Sequence, residues 1–186
     1  MNFKSYLITD PKYFTNNKEI FSKKLFEVLQ AHQVDFICFR DKESKNIEEL
    51  AKVFLEIGRK FNIEKILINS HINLAIKLSF DGIHLNSQQF DLIQKAKNNK
   101  LFSIVSCHNF EELSLANQLK VDCVTYSPIF KSPNKGEEKG VENLENMIKL
   151  FPKLNIIALG GIVLQEQINQ VKNSGSYGFA SIRYFV

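Results

Sequence analysis

Eight short apolar runs recur along this chain of 186 residues, and stretches of helical spacing separate them. The runs are 6–9, 36–40, 65–69, 82–85, 102–105, 122–125, 156–159 and 177–182. Most read as continuous apolar segments rather than as strict alternations, the pattern of parallel strands buried on both faces. Between them the spacing predicts helices over about 18–31, 47–61, 74–78, 90–97, 110–119, 142–151 and 164–173. Ile20, Leu25, Val28 and Leu29 form the apolar stripe of the first, and Leu50, Val53, Phe54 and Ile57 that of the second. Asn109 is placed to cap the 110–119 helix, with Glu111 and Glu112 in its first turn, where the helix dipole favours acids. Asp10-Pro11 reads as the stop of the first strand.

Strand and helix alternating in this way build βαβ units and a parallel sheet. A doubly wound open sheet competes, but a count of eight favours closure. The expected fold is therefore α/β, a single (β/α)₈ TIM barrel spanning residues 1–186 as one domain. The class typically runs to about 250 residues, so this chain is short for it. It ends four residues after Ile182, which leaves no room for an eighth helix. The last strand then needs cover from the N-terminal segment or from a second copy of the chain, as in a homodimer.

Composition narrows the function. The net charge is +4 with no run of basic residues, which argues against a nucleic-acid partner. No apolar run approaches 18 residues and no leader-like segment precedes the first strand, so a cytoplasmic protein without a membrane span is expected. Cys38, Cys107 and Cys123 each sit in or beside an apolar strand, as buried free thiols of a reducing compartment would. No metal-binding motif is present, and none of the residues is assigned to a metal.

In such barrels chemistry gathers where strands end at the C-terminal rim. Gly160-Gly161 after the seventh strand is the best phosphate signal, because glycines let backbone N–H groups approach an anion; plain turns use the same pair. Arg40 and Lys42 place two cations after the second strand, suited to an anionic substrate or to a solvated turn with Asp41 and Glu43. His108 follows the fifth strand and can both take and give a proton, although histidines near helix starts are often structural. His84, flanked by Ile83 and Leu85, reads as a packed, hydrogen-bonded core residue.

The segments Tyr6-Leu7-Ile8-Thr9-Asp10, Arg40-Asp41-Lys42, Leu67-Ile68-Asn69, Asp81-Gly82-Ile83-His84-Leu85, Ser106-Cys107-His108, Ser127-Pro128-Ile129-Phe130 and Ala158-Leu159-Gly160-Gly161-Ile162 follow one another in order. Together they resemble the thiamine-phosphate synthase family, which includes the thiazole tautomerases. The synthases join an aminopyrimidine diphosphate to a thiazole phosphate with Mg²⁺ on the diphosphate. The resemblance implies that Arg40 and Lys42 contact the diphosphate, with Asn69 and Ser106 nearby. It places Ser132, Asn134 and Lys135 in a loop closing over substrate. It assigns the thiazole phosphate to Gly160, Gly161, Ile182 and Arg183. Two departures matter: Ser70 and Gln89 stand where the family carries its magnesium-binding acids. A hard dication wants anionic oxygens, so the resemblance points first to the metal-independent tautomerase, with His108 as acid and base. A synthase using Mg²⁺ and a non-catalytic barrel that binds a thiazole phosphate are the alternatives.

Overall fold

The computed structural model describes residues 2–186 except Glu43 and Asn134. Its eight strands are β1 (Lys4–Ile8), β2 (Phe36–Phe39), β3 (Lys65–Asn69), β4 (Gly82–Leu85), β5 (Phe102–Cys107), β6 (Cys123–Tyr126), β7 (Ile156–Leu159) and β8 (Gly178–Ser181). Each pairs in parallel with the next, and β8 returns to β1, closing the barrel. The helices are α1 (Pro11–Phe14), α2 (Lys18–Ala31), α3 (Ile47–Gly58), α4 (Ile72–Leu78), α5 (Ile93–Asn98), α6 (Phe110–Gln118), α7 (Gly140–Leu150) and α8 (Gln165–Asn173). No helix among the described residues is long and apolar enough to cross a membrane.

The period of two along each strand sorts side chains between two cores. Tyr6, Ile8, Phe36, Cys38, Leu67, Ile104, Cys123, Ile157 and Ala180 fill the barrel interior. Leu7, Ile37, Phe39, Ile66, Ile68, Ile83, Leu85, Val105 and Val124 pack outward against the helices. The three cysteines are buried and free. Burial pushes the Cys38 thiol up to about 12 and the other two higher still, so all three act as small apolar groups.

Three expectations need correction. Ile20 does not belong to the α2 stripe: it is 58% exposed, while Phe21 is buried with Leu25 and Val28. The face that packs is the i, i+4, i+7 set that starts at Phe21, one residue further on. Asp10-Pro11 does more than stop β1. The Asp10 carboxylate accepts from the Lys12 N–H and Pro11 occupies the first helical position, so the pair opens the short helix α1. Near residue 90 the chain begins as a 3₁₀ turn (Phe90–Leu92) before α5.

The flank of β8 is covered without a helix after it. A 3₁₀ turn, Arg183–Phe185, brings Tyr184 and Phe185 onto Phe179, with ring centroids 5.5 and 5.9 Å away. Phe3 stacks on the same ring at 6.0 Å, and Phe185 meets His32 beyond the end of α2 at 5.5 Å. The N-terminal segment therefore contributes to the cover, as one of the two expected solutions, and the final turn completes it.

Candidate active site

The same period of two builds the floor of the site. Two residues beyond the interior layer, Asn69, His84, Ser106 and Thr125 are the inward positions at the tops of β3 to β6; Asn69 pairs with His84 and Ser106 with Thr125 in register. His84 is 3% exposed, with Nδ1 2.9 Å from the Tyr6 hydroxyl and Nε2 3.0 Å from Ser106 Oγ. Thr125 Oγ1 lies 3.4 Å from the same Nε2. Burial, helped by the charge of Arg40, drives the imidazole pKa down to about 3. The ring is therefore neutral, one nitrogen a donor and the other an acceptor. The expectation of a packed core histidine holds, and the ring also lines the floor of the cavity.

Above this floor the strand ends enclose a cavity of about 610 Å³, within the range of small-molecule sites. The structure brings Arg40, Lys42, Asn69, Ser106 and His108 to its wall, together with Ser132 and Lys135 of the loop after β6. Gly160, Gly161, Ile182 and Arg183 line it from the loops after β7 and β8. Asn134 lies outside the described residues. Asp41 is not among the residues that line this wall; it is buried and accepts from the Ser44 N–H. Glu43, the other acid expected in that turn, is outside the described residues as well.

His108 is held from two sides. Its N–H donates to Glu112, and Asn109 caps α6 through the Glu112 N–H at 2.8 Å. Its Nδ1 sits 3.1 Å from the Ser127 carbonyl oxygen. The Ser127 hydroxyl, which can donate or accept, lies 3.2 Å from the same Nδ1.

The glycine end is shaped by backbone contact. Gly160 and Gly161 have φ of +97° and +73°, and a Cβ on them would lie 2.8 Å from Pro128 Cα and 2.5 Å from the Phe130 carbonyl. Only glycine allows the turn and the loop after β6 to touch there. That loop is tied down by Ile129 N–H to Leu159 and Phe130 N–H to Gly160. Among the described residues, the Gly161 N–H makes no hydrogen bond, so it is available to an anion. Ser181 joins this turn to the end of β8, donating to the Ile162 carbonyl at 2.7 Å and accepting from the Tyr184 N–H.

The edge between β3 and β4 is neutral. Asn86 Nδ2 donates to Ser70 Oγ at 3.4 Å, Gln89 Nε2 donates to the Ser70 carbonyl at 3.3 Å, and Ser70 Oγ donates to Asn69 Oδ1. Of the two positions where acids were expected by resemblance, Gln89 thus bonds to the Ser70 backbone carbonyl, and the Ser70 hydroxyl bonds to the amides of Asn69 and Asn86. Among the described residues no three His, Cys, Asp or Glu side chains are grouped to hold a metal. A hard dication does not fit this donor set.

Sequence reasoning missed Lys12, Asp10 and Asn86, all of which line the cavity. Asp10 holds Arg40 in an ion pair across the β1–β2 rim. The signal was present in the Asp-Pro pair, which is a helix start as much as a strand stop.

Comparison with known proteins decides the family. The family model described as thiamine monophosphate synthase matches residues 5–185. The chain belongs to that family. It is 29% identical to thiamine-phosphate synthase 1 of Aquifex aeolicus, over 98% of this chain and 89% of the relative. It is 32% identical to putative thiamine-phosphate synthase 2 of the same organism, over 97% and 96%. A thiamine phosphate pyrophosphorylase structure from Pyrococcus furiosus superposes with a TM-score of 0.82 at 21% identity, over 97% of this chain and 85% of that one, which places the fold.

Proposed function

We propose that the chain is a transferase of thiamine biosynthesis that joins two phosphorylated substrates, an aminopyrimidine diphosphate and a thiazole phosphate. The observation that carries this reading is a single cavity with two anion-attracting ends. Arg40 and Lys42 line it just after β2, and the Gly160-Gly161 turn with Ile182 and Arg183 after β7 and β8. An enzyme acting on one monophosphate needs only one such end. The names of the Aquifex relatives support the synthase over the tautomerase first expected from the sequence.

In this reading the thiazole nitrogen attacks the pyrimidine methylene carbon. A C–N bond forms, the C–O bond to the diphosphate breaks, and pyrophosphate leaves with the electron pair. Arg40 and Lys42 stabilise the charge that grows on the leaving group. Gly161, Ile182 and Arg183 hold the thiazole phosphate, Asn69 and Ser106 orient the pyrimidine, and Ser132 and Lys135 close over both. His84, fixed and neutral, offers Ser106 an unchanging hydrogen-bond partner.

One observation favours a second reading. The neutral Asn69–Ser70–Asn86–Gln89 edge and the imidazole of His108 on the cavity wall suit a metal-independent tautomerase that shifts a proton on a carboxylated thiazole phosphate. A single assay separates the two. Purified protein receives both synthase substrates, and pyrophosphate release is followed. Sustained release supports the transferase. No release, together with isomerisation of the carboxylated thiazole that His108→Ala abolishes, replaces it with the tautomerase. Ligand-induced thermal stabilisation without turnover of either kind reduces the protein to a binding barrel.

A further inference from the structure

The wall of the cavity carries more positive charge than its own acids balance. Among the described residues, five cationic side chains line it, Lys12, Arg40, Lys42, Lys135 and Arg183, against one carboxylate, Asp10. Asp10 is already engaged twice. Its Oδ1 accepts from the Lys12 N–H at 3.0 Å, and its Oδ2 pairs with Arg40. Among the described residues the other four cations form no ion pair. Like charges gathered around one cavity raise the cost of admitting a dication and lower that of a polyanion. The edge where a dication would need carboxylates supplies only Asn69, Ser70, Asn86 and Gln89.

Lys12 owes its place to this arrangement. The cap that Asp10 gives α1 and the fully buried Phe14 fix the helix at the rim. The same carboxylate that starts α1 also holds Arg40. One acid therefore brings a cation from α1 and a cation from β2 to the same wall.

We propose that this wall binds a diphosphate with protein cations alone, Lys12 being a contact residue beside Arg40 and Lys42, and that no divalent cation is required. The inference rests on the transferase reading for the identity of the ligand, and its test is separable from that reading. Inorganic pyrophosphate is titrated into the protein by calorimetry, once in EDTA and once in excess Mg²⁺. Saturable binding in EDTA is expected, strengthened less than about threefold by Mg²⁺ and weakened about tenfold by Lys12→Gln, the loss of one charge-assisted contact. The double variant Ser70→Asp, Gln89→Asp, checked for an intact fold by melting, is expected to make binding depend on Mg²⁺. Binding that needs Mg²⁺ in the parent protein, binding in neither condition, or an unchanged affinity in Lys12→Gln overturns the proposal. Pyrophosphate binding in EDTA without any condensation leaves the inference standing and removes the transferase. Condensation that occurs only with Mg²⁺ does the reverse.

Discussion

The two ends of the cavity are built from different materials. At the β7–β8 end, backbone and packing do the work. Gly160 and Gly161 touch the loop after β6, Ser181 ties one loop to the next, and a stack of Phe3, Phe179, Tyr184 and Phe185 covers the flank behind. At the β1–β4 end, side-chain charge and hydrogen bonds do it: Asp10 with Arg40, the Lys12 and Lys42 ammonium groups, the Tyr6–His84–Ser106 chain and the neutral amides. The first kind of construction gives a fixed geometry that cares little for salt or pH. The second is soft to both, and single substitutions can retune it.

The contrast is tested most strongly behind the glycine end. Phe185→Ala removes a side chain that is 3% exposed from the aromatic stack on Phe179 of β8. A loss of about 3–5 kcal/mol in unfolding free energy is expected, the usual cost of emptying an aromatic site. Denaturant unfolding at low and high salt should give the same loss; a loss below about 1 kcal/mol would mean that the stack is not what holds this flank.

The charge-built end should announce itself through pH. The His84 pKa is lowered from 6.5 to about 3 in the folded chain, so the unfolded chain binds the extra proton between those values. Above pH about 6.5 His84 contributes no pH dependence. Below it, stability falls by about 1.4 kcal/mol per pH unit until the folded pKa is reached. The carboxylates add their own slope, so the reading is the difference between the parent and His84→Gln across pH 7 to 4 in thermal melts. Parallel curves would show that His84 is not buried neutral.

The smallest effect on stability belongs to Arg40. Its ion pair with Asp10 is about a quarter exposed on each side, so Arg40→Gln should cost less than about 1 kcal/mol. Its ligand binding should nonetheless fall, and the gap from the parent should narrow as salt rises. A large loss of stability at Arg40 would erase the distinction between the two ends.

Much of the fold was legible because parallel strands leave a strong mark. Runs such as 65–69, 82–85 and 156–159 coincide with β3, β4 and β7, since both faces are buried and, His84 apart, no polar residue interrupts their middles. The Asn109 cap held for the same local reason. Boundaries were less legible: β1 begins at Lys4 and β5 runs on to Cys107, because strand ends follow partners across the barrel rather than local composition. Of the site, the rim residues named from the sequence do line the cavity, apart from Asn134, which lies outside the described residues. Lys12 was not seen, because a lysine in a four-residue helix carries no signal until Asp10 and Arg40 meet.

What the residues alone determined is the class of fold and the glycine end, because burial on two faces and a forbidden Cβ each restrict which amino acids are tolerated. What only the tertiary structure decided is the electrostatic balance of the cavity and the cover on β8. Both depend on groups far apart in the chain, Lys12 with Lys135 and Phe3 with Phe185, and the closing of the barrel is what brings them together.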